Sequence, residues 1–166
     1  MKLSRKTLVT GSCLSAAVLL AACGHSPQEC MERVMHFESN RSSRDGMIAV
    51  GTVVMNRVES PQFPDTVCGV VGQRGQFAPG VMKRRMNPQS MPLVREAATS
   101  VLQGERHPLV GTATFFHTAG HRFPYDNMHY VVVTGGNAFY EKRPNYLVTQ
   151  PVPPEPVEGL TGWYGG

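Results

Sequence analysis

Apolar residues first recur at helical spacing between Glu29 and Phe37, where Cys30, Val34 and Phe37 share one face. A polar link, Asn40 to Arg44, separates this segment from Asp45 to Val58. There Met47, Ile48, Val50, Val53, Val54, Met55 and Val58 leave few polar positions. The β-branched content would suit a strand, but the unbroken length predicts a buried helix. Ser60-Pro61 and Phe63-Pro64 end it, and Asp65 stands where it could cap a short helix over Thr66 to Gly72. Ser90 to Gln103 is again amphipathic and stops at Gly104. Between these helices, Arg74 to Gln89 is rich in Gly, Pro and Met and carries the basic run Lys83-Arg84-Arg85. It reads as irregular, either a loose connection or a groove wall.

Beyond Gly104 the period changes to two, with β-branched and aromatic residues. Thr112 to His117, His129 to Thr134 and Asn137 to Tyr140 read as short strands, the last two joined by a hairpin at Gly135-Gly136. The tail from Pro151 is proline-rich and reads as extended or flexible. Helices followed by a small antiparallel sheet predict an α+β domain. Its limits are placed at residues 29–148, with 149–166 as the tail.

The N-terminus changes the charge reading. The chain has 166 residues and a formal net charge of +4. Lys2, Arg5 and Lys6 precede an apolar run, Leu8 to Ala22, that is too short for a stable membrane span. Leu20-Ala21-Ala22-Cys23 then predicts a lipoprotein-type cleavage site: residues 1–22 as signal peptide, Cys23 as the lipidated residue, and 23–28 as a tether. The alternatives are an ordinary secretory signal with an accidental cysteine, or an uncleaved anchor. The signal holds three of the 16 basic residues and none of the 12 acidic ones. The remainder is nearly neutral, so nucleic-acid binding loses its support. Cys30 and Cys68 are left as an even pair in an exported chain and are predicted to form a disulfide. It would stabilise the fold by about 4 kcal/mol at most.

Candidate chemistry begins with Glu38, at the predicted C-terminal end of the first helix. The carbonyls there disfavour a negative charge, and Phe37 with the next apolar helix could desolvate the carboxyl; both raise its pKa. Arg41 and Arg44 would act oppositely if they point at it. By position alone, the plainer reading prevails: a solvated helix-end glutamate. His117 and His121, with Asp126 and His129 nearby, could be zinc ligands, but in an extended chain residues four apart lie about 13 Å from each other. Gly75-Gln76-Phe77 offers an amide for sugar hydroxyls and a ring for a sugar face. No G-x-S-x-G motif supports a serine nucleophile.

The order of motifs resembles the SleB-like cell wall hydrolase family of spore-cortex-lytic enzymes. Members carry an aromatic residue before Glu-Ala-Arg-Gly-Glu, then a glycine and an apolar helix ending in Asn-Arg. Phe37-Glu38 begins the match, Gly46 keeps the spacing, and Val53 through Val58 includes Asn56-Arg57. The block from Ser60 to Val71, then Gly75-Gln76-Phe77, Phe115-Phe116-His117 and Thr134 through Tyr140 follow in order. Two positions depart from the pattern. Ser42 replaces the second glutamate, and Ala78 stands where many members have serine.

The resemblance implies a lysozyme-like fold and cleavage of peptidoglycan between N-acetylmuramic acid and N-acetylglucosamine, in many members by lytic transglycosylation. It puts the catalytic glutamate on Glu38 and implies no metal or cofactor. Gln76, Phe77, His117 and Tyr125 are then expected to line the groove for glycan strands, and the Cys30–Cys68 pairing looks like that of exported members. The resemblance and Cys23 together place the protein on a membrane through its lipid, facing the wall, at the outer membrane if the source is Gram-negative. Two other readings are a non-catalytic lipoprotein that binds peptidoglycan, suggested by Ser42 and Ala78, and a zinc amidase built on His117, His121 or His129.

Overall fold

A cap and a proline fix where the first helix starts. α1 (Pro27–Glu38) has Pro27 at its first position, and the Ser26 side chain accepts from the Glu29 N–H. In this computed structural model, which describes residues 24–39 and 43–162, Ser43 caps α2 (Arg44–Val58) by accepting from the Gly46 N–H at 3.0 Å. The expected signal peptide, Cys23, Asn40, Arg41 and Ser42 lie outside the described residues. α3 (Val67–Val71) begins one residue later than expected. Its cap is Thr66, not Asp65, because the Thr66 hydroxyl accepts from the Gly69 N–H at 3.1 Å. α4 (Met91–Leu102) follows a single 3₁₀ turn, Pro88–Ser90.

The near-absence of polar positions in α2 has a direct cause: every residue from Asp45 through Val54 is buried. α1 and α4 pack against it, and Val34, Met35, Ile48, Val50, Val53, Val94 and Val101 form the centre of one core. The predicted disulfide is present. Cys30 and Cys68 join α1 to α3 with an S–S distance of 2.08 Å.

The three strands are β1 (Phe115–Thr118), β2 (Met128–Thr134) and β3 (Asn137–Lys142), all antiparallel in the order β1-β3-β2. Gly135 and Gly136 both have positive φ and close the hairpin that pairs Thr134 with Asn137. A bulge between Tyr130 and Val132 splits β2 between the two faces of the sheet. Val132 joins Phe116 and Phe139 against the helical core. Tyr130 instead joins Phe115, His117 and Tyr140 on the opposite face. The result is the α+β architecture read from the sequence, a helical lobe beside a small sheet.

The two lobes meet backbone to backbone. A Cβ on Gly46 would lie 2.6 Å from the Gly135 Cα, so the start of α2 and the β2–β3 turn touch without intervening side chains. The tail reinforces this junction. It is extended, as expected, but through Gly162 it does not run free. The Val157 N–H donates to the Val133 carbonyl at 2.9 Å, and the Glu158 carboxylate accepts from the Gly135 N–H and the Ser43 hydroxyl, each at 2.6 Å. Asp45 accepts from the N–H groups of Leu160 and Thr161 at 2.8 and 2.7 Å. The prolines keep the segment extended, and its polar residues satisfy groups at the start of α2.

Candidate active site

Glu38 is the last residue of α1, and both ends of the residue are held. Its carboxylate accepts a short hydrogen bond from the Ala78 N–H. Its main-chain carbonyl accepts from the Asn137 side-chain amide at 2.6 Å. Burial raises the Glu38 pKa above the ordinary value of 4.5; the Ala78 N–H and the charge of Arg57 oppose the rise without cancelling it. Arg44 does not act here. It faces Glu96 and Glu105 in two-pronged ion pairs with contacts of 2.7 to 3.0 Å, and these hold its proton more firmly.

Arg57, near the end of α2, is the cation that reaches Glu38. It is 3% exposed. Its guanidinium carbon lies 5.0, 5.1 and 5.7 Å from the ring centres of Phe63, Phe77 and Phe115, an arrangement that favours the cation through its faces. Its Nε donates to the Thr114 carbonyl at 2.7 Å. Nη1 is buried with no hydrogen-bond partner among the described residues. Next to it, Asn56 donates to the carbonyls of Gly111 and Ala113 at 2.9 and 2.8 Å. These bonds hold residues 111–114 against α2, and β1 starts three residues later than the sequence pattern suggested.

The Arg74 to Gln89 segment is a wall, not a loose connection. Phe77, Val81, Met82 and Met86 pack into the core. The Arg33 guanidinium donates to the carbonyls of Val81 and Arg84, and His36 Nε2 accepts from the Asn87 N–H at 3.1 Å. A cavity of about 520 Å³ opens along this wall, bordered by Phe77, Ala78, Met82 and Lys83.

The outer face of the sheet forms an aromatic cluster. His117 Nδ1 faces the Thr118 carbonyl at 2.9 Å, so it carries the proton, and in the neutral ring Nε2 accepts from the Tyr130 hydroxyl at 2.9 Å. Phe123 packs edge-on to His117 and stacks nearly parallel to Tyr125, with 6.0 Å between ring centres. Phe123 is 45% and Tyr125 66% exposed. Burial raises the pKa of Tyr140, which with Tyr125 and Lys142 borders a second cavity of about 340 Å³. Arg57 links this cluster to Glu38, since its charge acts on both Tyr140 and Glu38.

Of the residues expected to line a groove, Phe77 stands beside Ala78 and spends its faces on Arg57 and Phe116. His117 and Tyr125 come together through Phe123. Gln76 is exposed. Among the described residues no three His, Cys, Asp or Glu side chains converge as metal ligands. His129 Nδ1 accepts from the Thr149 and Gln150 N–H groups, each at 3.3 Å. The residues missed as individuals are Arg57, Asn137, Tyr130, Tyr140 and Phe123. Arg57 and Asn137 sat inside motifs already singled out, but nothing in the spacing said that each would touch or face Glu38.

A family model described as Cell Wall Hydrolase matches residues 41–140, which takes in Arg57, the wall and the sheet and begins just after Glu38. Among solved structures, the chain is similar to the catalytic domain of the germination-specific lytic transglycosylase SleB from Bacillus anthracis. The TM-score is 0.58 and the identity 24%, over 72% of this chain and 98% of that one. The catalytic domain of the Bacillus cereus SleB protein also has a TM-score of 0.58, at 23% identity over 72% of this chain and 94% of that one. At these identities the likeness shows a shared fold. No curated protein sequence matches the chain.

Proposed function

Because the chain belongs to the cell wall hydrolase family, we propose that it cleaves the bond between N-acetylmuramic acid and N-acetylglucosamine in peptidoglycan, as a lytic transglycosylase with Glu38 as its one catalytic carboxyl. The observation that carries this reading is the state of Glu38. It is partly buried, fixed by the Ala78 N–H, and has its pKa raised by burial despite Arg57. A carboxyl that keeps its proton above the usual range is suited to general acid work.

In the first step the Glu38 proton passes to the glycosidic oxygen as the C1–O bond breaks through an oxocarbenium-like state. The electron pair of that bond stays with the leaving oxygen, and Glu38 becomes a carboxylate. The cation Arg57 and the Ala78 N–H both favour that ionised form. In the second step the carboxylate takes the proton of the muramoyl C6 hydroxyl, whose oxygen bonds to C1 and closes a 1,6-anhydro ring. One group acts as acid and then as base, so the replacement of the family's second glutamate by Ser42 does not block the cycle.

The exposed Phe123–Tyr125 pair provides flat apolar surface for sugar rings, with His117 held behind it by Tyr130. Gln76 supplies an exposed amide. Export and a lipid on Cys23 would hold the domain beside the wall. Muropeptide analysis tests the reading. Wild-type protein should release 1,6-anhydromuramoyl products from sacculi, and Glu38→Gln should release none. Reducing-end products would mean hydrolysis. Sacculus binding without any product would mean a non-catalytic binder.

A further inference from the structure

A cavity of about 730 Å³ lies where the first half of α1, residues 83–88 and the start of α4 meet. It is separate from the surfaces assigned above, and its rim is basic. Of its two acids only Glu29 is in ion pairs among the described residues, and Glu32 keeps its charge beside a neutral amide. Glu29 pairs with Arg33 and His25, at 3.0 and 2.7 Å, and Glu32 accepts from the Gln28 amide at 2.9 Å. Arg33 also ties down the carbonyls of Val81 and Arg84, so the floor is built and not improvised by surface side chains. Arg84 lies over the Phe37 ring, 4.5 Å from its centre.

That leaves Lys83, Arg85 and Arg95, all exposed and all bordering the cavity, with no ion pair among the described residues. With Arg84 they are four cations outside any ion pair among the described residues, against the one charge of Glu32, a local positive field on a chain that is close to neutral after Cys23. The field adjoins the catalytic wall. Lys83 borders both this cavity and the one containing Phe77 and Ala78, and Arg84 covers the neighbour of Glu38.

We propose that this pocket binds the carboxylates of the stem peptide carried by muramic acid, which makes it a specificity site for peptide-bearing glycan strands. This rests on the reading of Glu38 as a peptidoglycan-cleaving acid. In a peptide-bearing strand the lactyl carboxyl of muramic acid is tied up as the amide that carries the stem, and N-acetylglucosamine is uncharged, so the negative charge of such a substrate is in its peptides. A cationic pocket joined by a continuous wall to the acid that cuts beside muramic acid is placed for those carboxylates.

The experiment compares the full chain on peptide-bearing strands and on strands stripped of peptide by an amidase, which keep only the lactyl carboxylate that the cleavage frees on the sugar and none of the peptide's. KM should be about tenfold lower for the peptide-bearing strands, the size expected from two or three exposed ion pairs. The advantage should shrink as salt rises. A K83E/R85E/R95E variant, checked for folding by its melting curve, should bring the two KM values together. The isolated stem tripeptide should bind the Glu38→Gln protein, and not the same protein carrying the three charge reversals. Equal KM values in the wild type would overturn the proposal. So would a variant that keeps the preference, or one whose only loss is binding to phosphatidylglycerol vesicles. If the wild type cleaves neither substrate, the catalytic reading falls, and the tripeptide titration still decides the pocket by itself.

Discussion

The side-chain amide of Asn137 donates to the main-chain carbonyl of Glu38 across a distance of 2.6 Å. The bond joins the first residue of β3 to the last residue of α1, so the sheet helps to fix where that helix ends. That carbonyl is among those a helix leaves without an internal partner. Asn137→Ala would leave it unpaired and free the carboxyl to wander from the Ala78 N–H. The expected outcome is a loss of about 1–2 kcal/mol in stability and a fall in kcat of roughly tenfold with KM nearly unchanged. Denaturant titration and steady-state kinetics on soluble glycan strands check it. An unchanged kcat would mean that the bond holds the fold but not the acid.

Glu38→Gln should abolish turnover, by about 100-fold or more, the range expected for loss of a positioned general acid. Its stability should depend on pH in a specific sense. Burial raises the folded-state pKa of Glu38 above its ordinary 4.5, so the folded protein holds this proton more tightly than the unfolded chain. Below the ordinary value the carboxyl is neutral in both states and costs nothing. As pH rises through the folded pKa, a half-desolvated charge appears and stability is lost. The glutamine keeps an oxygen for the Ala78 N–H and never ionises. Its melting temperature should therefore equal the wild type's at acid pH and exceed it at neutral pH. A wild type that is the more stable of the two at neutral pH would show that Ala78 and Arg57 outweigh the burial.

Much of the scaffold was legible in the sequence because it follows from local rules. The periodicity of Glu29 to Phe37 and of Ser90 to Gln103 marked α1 and α4 to within a residue or two, and Gly135-Gly136 marked the hairpin. Asp65 was the wrong cap because either Asp65 or Thr66 could serve, and only the chain path shows which oxygen meets the Gly69 N–H. The site was less legible. Glu38 stood out only through motif resemblance, since the Ala78 N–H that holds its carboxylate is 40 positions away. Arg57 reads in the sequence as the polar end of an apolar helix. Its burial among Phe63, Phe77 and Phe115 requires two separate loops and the start of β1 to converge. The tail's attachments were hidden for a similar reason: Pro-rich composition reads as extended or flexible, and its partners Ser43, Asp45 and Gly135 are far away in sequence.

The Cys30–Cys68 bridge closes a separation of 38 residues and pins α3 to α1. Chain-entropy reasoning puts its contribution at roughly 4 kcal/mol. Reduction, or Cys30→Ser with Cys68→Ser, should lower the melting temperature by on the order of 10 °C. The reduced protein should remain active at temperatures where it is folded, because no bond to Glu38 runs through α3. Scanning calorimetry with and without reductant measures the first effect, and glycan release at 20 °C or so, chosen well below the reduced melting point, measures the second.

Tyr125 and Phe123 present an exposed, nearly parallel pair of rings with an interplanar angle of 10°. If they receive sugar rings, Tyr125→Ala should raise KM by about fivefold while kcat stays within about twofold, the signature of binding shared by ground state and transition state. Tyr125→Phe should retain most of the affinity, since the stacking surface survives. A drop in kcat with KM constant would instead put Tyr125 in the chemical step.

Arg57 offers the sharpest test of the electrostatics, because its charge acts on Glu38 directly. A positive charge favours the carboxylate form and so holds the Glu38 pKa below where burial alone would set it. Arg57→Met removes that charge and keeps an unbranched side chain among Phe63, Phe77 and Phe115. Glu38 should then retain its proton to higher pH, and the alkaline limb of the kcat/KM profile should move upward. Stability should change by no more than about 2 kcal/mol, since a desolvated guanidinium with an unpaired Nη1 is exchanged for an apolar chain. Arg57→Lys keeps the charge and should leave the limb near its wild-type position, even if looser packing lowers the rate. Should the limb stay fixed in Arg57→Met, the group titrating there is not Glu38, and the assignment of the acid fails with it.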